Sequence, residues 1–200
     1  MGAWRFALIL GGARSGKSTF ALRLAGHLGR RVLFVATATA LDEEMKHRIE
    51  NHRRDRPSSW QTLEAPAHLS EQVAGHIAAG DVVLVDCLTL MVFNLMAEMA
   101  GEGLDDGRYD EVSVRDSLRV DLEGLLETCR RVGASLIVVS NEVGMGLVPP
   151  YPLGRTFRDL LGFANQFLAR HADRVYYLFA GLPVELKALA AALDKEEATD

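Results

Sequence analysis

The 200-residue sequence has only two cysteines, Cys87 and Cys129, each inside an apolar or helical-looking run and with no Cys-x-x-Cys spacing. Neither a disulfide framework nor a zinc site is expected, and the usage fits a reducing, cytoplasmic compartment. An excess of basic residues is also missing: 22 Lys and Arg against 27 Asp and Glu give a formal net charge of −5. That balance argues against nonspecific affinity for nucleic acid or membrane, so the charge of any phosphorylated ligand has to be met locally. There is no long hydrophobic run. Cys87 to Ala100, the longest, is broken by Asn94 and Glu98 and falls short of the ~20 residues that cross a bilayer. Trp4 to Leu10 is interrupted by Arg5 and has no cleavage site after it, so no signal peptide is expected. Internal repeats, low-complexity segments and an Asn-Lys-x-Asp guanine-reading motif are likewise absent from the sequence.

Against these absences stands one stretch. Gly11-Gly12-Ala13-Arg14-Ser15-Gly16-Lys17-Ser18 fits Gly-x-x-x-x-Gly-Lys-[Ser/Thr] without a mismatch and follows directly on the apolar run Ala7-Leu8-Ile9-Leu10. A buried strand that stops, glycines that let successive N–H groups turn inward, and a helix that starts with its positive end at the same spot make a cradle for a polyphosphate. Lys17 then reaches the outer phosphates as a point charge, and the Ser18 hydroxyl serves the Mg²⁺ that bridges them. A second signature is Asp81-Val82-Val83-Leu84-Val85-Asp86, an apolar strand ending in an acid, whose Asp86 carboxylate meets that Mg²⁺ or its water shell.

With 48% of its residues apolar, the chain supplies a core for a single domain. Trp4–Leu10, Arg31–Ala36, Asp81–Asp86, Ser135–Ser140 and Asp173–Ala180 read as buried strands, and Ser59–Glu64 as a short edge strand. Helices are predicted over Lys17–Leu28, Leu41–Arg54, Pro66–Ala79, Cys87–Met99, Asp110–Arg131 and Gly154–His171. Strand, helix, strand at this spacing makes right-handed βαβ units and a parallel sheet. Thr37-Ala38-Thr39 and Asn141-Glu142-Val143-Gly144-Met145-Gly146 then fall at the carboxyl ends of strands, where α/β proteins place ligand-contacting loops. The Cys87–Met99 helix reads as core or subunit interface. Gly101–Gly107 reads as a glycine-rich acidic loop, Pro183–Leu193 as a short strand or helix, and Asp194–Asp200 as a solvated acidic tail.

The P-loop itself, Ala36-Thr37, Leu41-Asp42-Glu43-Glu44-Met45, Arg48-Ile49 with His52, Arg56-Pro57 and Trp60, and Asn141 to Gly146 with Val148-Pro149 form a set of separated stretches. Together they resemble the bifunctional adenosylcobinamide kinase / adenosylcobinamide-phosphate guanylyltransferase family of cobalamin biosynthesis. The likeness runs from about the first strand to about residue 180. It implies an α/β, P-loop NTPase-like (RecA-like) three-layer fold with a mostly parallel central sheet over 1–200, the part beyond about 183 being a peripheral tail. It implies two reactions: a nucleoside triphosphate, ATP or GTP, phosphorylates the substrate's hydroxyl, and GTP then donates GMP to that phosphate with loss of pyrophosphate. The position matching the family's guanylylated histidine is His52. An imidazole nitrogen that attacks the α-phosphorus and then passes GMP on is ordinary nucleophilic catalysis. His47, on a different helical face from His52, reads as a solvated side chain.

By the same resemblance the nucleotide contacts are the P-loop, Thr37, Ala38, Thr39, Arg53, Arg54, Asp55, Arg56, Glu64 and Asp86. Lys17 and His52 carry the chemistry, and Ser18 and Asp86 the metal. Some members have two adjacent histidines where this chain has Asn51-His52, and relatives can carry Glu at the position of Asp86. A corrinoid substrate is expected between the P-loop edge, the His52 helix and the Asn141–Gly146 loop. The family implies a homotrimer. Three other classes compete. A monofunctional P-loop small-molecule kinase needs no covalent histidine. A nucleotide-binding regulatory protein is disfavoured by the missing guanine motif. An oligomeric ATPase wants an arginine acting across subunits, for which Arg155 or Arg158 is available.

Overall fold

In the computed structural model, residues 5–29, 31–39, 43–54, 56–104 and 110–197 are described. Within them, the side chains of residues 44, 45, 48, 51, 52, 102 and 192–197 lie outside the description. The chain runs β1 (Phe6–Gly11), α1 (Lys17–Leu28), β2 (Val32–Ala36), α2 (Glu43–Arg54), β3 (Gln61–Glu64), α3 (Leu69–Ala74), β4 (Val82–Asp86) and α4 (Leu88–Ala100). After a 3₁₀ turn at Gly101–Gly103 come α5 (Glu111–Val132), β5 (Ser135–Val139), α6 (Pro152–His171), β6 (Arg174–Phe179), β7 (Leu182–Glu185) and α7 (Leu186–Glu197).

The strands form one seven-stranded sheet in the order β3-β2-β4-β5-β1-β6-β7. Every pairing is parallel except β6 with β7. β1, β4 and β5 are apolar along nearly their whole length because both faces of the sheet are covered. Alternate residues divide between the faces. Leu8, Val83, Val85, Leu136 and Val138 pack under α3, α4, α5 and α6, whereas Ile9, Val82, Leu84, Ile137 and Val139 face α1. These are the three layers the sequence leads one to expect.

Most sequence-predicted elements are present, with instructive shifts at their ends. The helix expected over Pro66–Ala79 is reduced to Leu69–Ala74, because both flanks are held in other geometries. On one side Gln72 Nε2 donates to Ala67 O at 2.6 Å; on the other Ala78 N donates to the Asp81 carboxylate at 2.8 Å. The first N–H groups of α3, on Leu69 and Ser70, are accepted by the buried carboxylate of Asp121 on α5 at 2.9 and 2.8 Å. α6 starts at Pro152, two residues earlier than predicted, since proline suits the first helical turn. The segment read as a strand or helix followed by a solvated tail is both β7 and α7, and α7 continues through Asp194 to Glu197. The Glu185 carboxylate starts α7 by accepting from Lys187 N at 3.1 Å and Ala188 N at 2.8 Å. Residues 105–107 of the predicted glycine-rich loop, and Leu41 and Asp42 of the predicted charged helix, lie outside the described residues.

The α4 helix is core. Leu88, Met91, Val92, Leu95 and Met96 are all buried within the chain, and Met99 alone of its large apolar residues is substantially exposed. Among the described residues no helix is long and apolar enough to cross a membrane. The two cysteines are free; burial pushes the Cys129 thiol up to about 12, and burial together with the charge of Asp86 pushes Cys87 up to about 11.

Replacing Asp121 with Ala strands two backbone donors and should cost about 2–4 kcal/mol in urea unfolding. At pH 8 both thiols are protonated in the folded state. Alkylation by iodoacetamide should therefore be slow in native protein and reach two equivalents per chain in urea.

Candidate active site

The P-loop is shaped by two left-handed glycines. Gly11 has φ 151° and a Cβ there would stand 2.7 Å from Ser15 Oγ and 2.8 Å from Leu178 O. Gly16 has φ 93° and serves as the N-cap of α1. Gly12, by contrast, faces open space. The loop is tied down from two neighbouring strand exits: Glu142 N donates to Gly11 O at 3.1 Å and Gly181 N to Ser15 O at 2.9 Å. Lys17 is buried and its Nζ donates to Gly12 O at 2.6 Å, so the ammonium lies folded along the loop. Ser15 Oγ is buried with no hydrogen-bond partner among the described residues. A buried polar atom left over in a phosphate cradle fits an anion that brings its own acceptors.

This loop forms one end of a cleft of about 1110 Å³ on the α1 face of the sheet. Its floor is Phe34, Ala36, Asp86 and Val139; Ala13, Arg14, Ser15, Gly16, Lys17 and Ser18 make the P-loop end, and Lys46, His47, Ile49, Glu50 and Arg53 of α2 line another wall. Ala38, Thr39, Arg56, Glu64 and Asn141 complete the predicted residues on the wall. β5 lies between β1 and β4, which is why Asn141 sits between the P-loop and Asp86. Asn141 is fixed through its backbone, accepting from Asn165 Nδ2 at 3.0 Å and donating to Thr89 Oγ1 at 2.9 Å. The rest of that loop turns away: Glu142 accepts from Gly144 N, and residues 144 to 148 are exposed.

Two expected contacts are placed differently. Thr37 is fully buried, its hydroxyl engaged with the backbone of Cys87, and it does not reach the cleft. The period-2 alternation of β2 explains this, because Phe34 and Ala36 face α1 and Thr37 is turned toward α4. Arg54 is exposed and does not line the cleft. Asp55 lies outside the described residues, as does the side chain of His52, whose backbone belongs to α2 immediately before Arg53. His47 is exposed, as a solvated side chain should be, and stands at the edge of the cleft with its Nδ1 3.8 Å from Glu50 Oε2.

The cations are held by local acids and an aromatic face. Arg53 pairs with Glu64 across the cleft wall. The Arg56 guanidinium lies over the Phe34 ring, 3.5 Å from its centroid. Burial lowers the Arg56 pKa, with the Asp86 charge opposing that shift, Arg53 adding to it and Glu64 opposing it. Arg56 Nε is buried without a hydrogen-bond partner among the described residues. Arg155, one candidate for an arginine acting across subunits, is instead used within its own loop and donates to Pro149 O at 3.1 Å and Pro150 O at 2.9 Å. Sequence reading missed Phe34 and Thr89 as parts of this site; a strand phenylalanine and a helix-start threonine look the same whether they face a ligand or the core.

The comparisons with known proteins extend this picture along nearly the whole chain. The Escherichia coli (strain K12) protein named bifunctional adenosylcobalamin biosynthesis protein CobU is 41% identical over 180 residues, 90% of this chain and 98% of its own. Its Salmonella typhimurium namesake is 40% identical over the same shares. The Pseudomonas aeruginosa protein named bifunctional adenosylcobalamin biosynthesis protein CobP is 43% identical over 90% of this chain and 96% of its own. Among solved structures, the RadB recombinase aligns with 86% of this chain and 73% of its own at a TM-score of 0.48 and 17% identity, too loose a likeness to bear on chemistry. The family described as cobinamide kinase / cobinamide phosphate guanyltransferase matches residues 7–186, which contain every element lining the cleft, and this chain belongs to that family.

Proposed function

We propose that the cleft performs two phosphorus-centred transfers in succession. A nucleoside triphosphate first phosphorylates the hydroxyl of adenosylcobinamide. GMP is then transferred from GTP to the resulting phosphate through a guanylyl-histidine at His52, giving adenosylcobinamide-GDP and pyrophosphate. The observation that carries this reading is that one cleft joins the P-loop to the inner wall of α2. A triphosphate held by the P-loop thus lies beside the helix that carries His52.

The P-loop amides and Lys17 hold the triphosphate, and for the first transfer the substrate oxygen displaces the nucleoside diphosphate at the γ-phosphorus in line. For the second, an imidazole nitrogen of His52 attacks the α-phosphorus of GTP. The bond to the bridging oxygen breaks and pyrophosphate leaves with the electron pair. A phosphate oxygen of cobinamide phosphate then attacks the same phosphorus, and the phosphorus–nitrogen bond breaks to return the imidazole. Arg53 and Arg56 neutralise the charge that gathers on the phosphates, which requires Arg53 to exchange Glu64 for phosphate oxygens.

Mg²⁺ suits the donor set. Ser18 and Asp86 both line the cleft and offer hard oxygen atoms. Among the described residues no group of three or more His, Cys, Asp or Glu side chains is placed to hold a metal. That fits an ion which takes most of its ligands from phosphates and water. When bound, it neutralises phosphate charge.

The corrinoid enters at the cleft mouth bounded by the P-loop edge, α2 and Asn141. The chain assembles as a homo-oligomer, a trimer by family resemblance. Met145, Leu147, Val148 and Tyr151 form an exposed apolar ledge for this assembly. Arg155 ties the ledge down through Pro149 O and Pro150 O, and Gly154 makes room for the Tyr151 ring, since a Cβ there would stand 2.6 Å from it.

Incubation with Mg²⁺ and GTP labelled on the α-phosphate should leave an acid-labile, base-stable label on the peptide containing His52. His52→Ala should lose that label and the transferase reaction while keeping the kinase reaction; a folded, GTP-binding protein that never takes the label leaves the monofunctional kinase. Lys17→Ala should slow both reactions by about 10²-fold or more, measured separately. Leu147→Asp should shift the light-scattering mass toward the monomer, and an unchanged mass removes this ledge as the interface.

A further inference from the structure

Three chain segments that leave the sheet at its carboxyl edge are joined by two side chains, Thr37 and Asn94. The β2–β4 ladder ends at its last paired residues, Ala36 and Asp86. Thr37 takes its place. Its backbone N–H donates to Asp86 O at 3.4 Å. Its hydroxyl accepts from Cys87 N at 2.8 Å and donates to Cys87 O at 2.7 Å. Both polar ends of the Asp86–Cys87 peptide group, and the next carbonyl, are thus held by one residue. Asn94 of α4 uses both hydrogens of its amide, donating to Thr37 O at 2.8 Å and to Pro66 O at 3.0 Å. Asn94 interrupts the apolar α4 sequence, and this is what the interruption supplies.

The geometry points to Thr37 and Asn94 as positioning residues for Asp86. Alternation along β4 puts Asp86 on the α1 face with Val82 and Leu84, toward the P-loop. Thr37 lies on the opposite side, fully buried. A hydroxyl that touches no ligand therefore fixes the rotation of the peptide group from which the Asp86 carboxylate projects into the cleft. Asn94 in turn fixes Thr37 and the Pro66 segment, another part of the cleft wall, to the same rigid helix. Thr37 acts through Asp86, which replaces the direct nucleotide contact expected of it from sequence. The inference rests on the reading of Asp86 as the acid on the metal side of the site.

The test measures Mn²⁺ bound by the protein saturated with a GTP analogue that cannot be cleaved at its α–β or β–γ bridge, from the electron paramagnetic resonance signal of free Mn²⁺, against the analogue alone. The variants are Thr37→Val, Thr37→Ser, Asn94→Ala and Asp86→Asn, with GTP affinity in EDTA measured alongside. Loss of an outer partner of a metal ligand typically weakens binding about 10- to 100-fold. Thr37→Val should weaken Mn²⁺ binding about tenfold and leave GTP affinity in EDTA within about twofold, with Thr37→Ser restoring the Mn²⁺ affinity. Asn94→Ala should shift it in the same direction, and provides the test if Thr37→Val does not fold. Parental Mn²⁺ affinity in folded Thr37→Val and Asn94→Ala, with affinity lost in Asp86→Asn, would overturn the positioning role while sparing the role of Asp86. Parental affinity in Asp86→Asn would remove the metal-side reading of Asp86, and the positioning role with it. Failure of Thr37→Ser to restore binding would show that side-chain shape, not the hydroxyl, was at work, and would also overturn the proposal.

Discussion

The ladder of a parallel sheet ends in backbone groups that have to find partners, and here the carboxyl edge solves that problem with the site itself. Beyond β1 the chain turns into the P-loop, whose carbonyls at Gly11 and Ser15 are taken up by N–H groups of Glu142 and Gly181. Beyond β4 the peptide groups around Cys87 are taken up by Thr37. Beyond β5, Asn141 is held by Thr89 and Asn165. Buried N–H and C=O groups are costly to leave unpaired, so each exit is pinned. Side chains that project from pinned exits keep their directions, which is what a site for phosphate chemistry requires.

The two faces of the sheet are covered unequally, and this makes room for the cleft. Four helices, α3 to α6, pack on one face in a continuous apolar core, while the other face has α1 against its centre. The carboxyl half of that thinner side is where Phe34, Ala36, Asp86 and Val139 are left to form a floor. The apolar α4, which from its composition looks suited to an interface, is consumed by the thick side.

Charge is arranged locally, as an acidic protein that handles polyphosphate must arrange it. Glu64 meets Arg53, and the face of Phe34 meets Arg56, with the charge of Asp86 acting on the same guanidinium. Arg56 is half-buried over that ring, and burial strips part of the water from its guanidinium, whereas Arg53 stays exposed beside its carboxylate.

Much of this was legible in the residue order. The P-loop is local: its glycines, lysine and serine are consecutive, and conformational need and chemistry coincide there, so the loop reads directly from Gly11 to Ser18. The same holds for the buried strands and for Asp86 at the end of one of them. The family, too, is carried by short contiguous motifs. Relations between segments distant in sequence were not legible. Whether Thr37 points at ligand or at α4 depends on which neighbour covers which face, and Thr37 and Asn94 meet across 57 positions. Arg53 meets Glu64, and Arg56 meets Phe34, only because β2 and β3 pair in parallel under α2. The sequence by itself determined the cradle, the alternation of the strands and the family, since each depends on neighbours along the chain. Only the tertiary structure decided which side chains line the cleft and which hold others in place, because that depends on contacts made when distant segments close over the same edge.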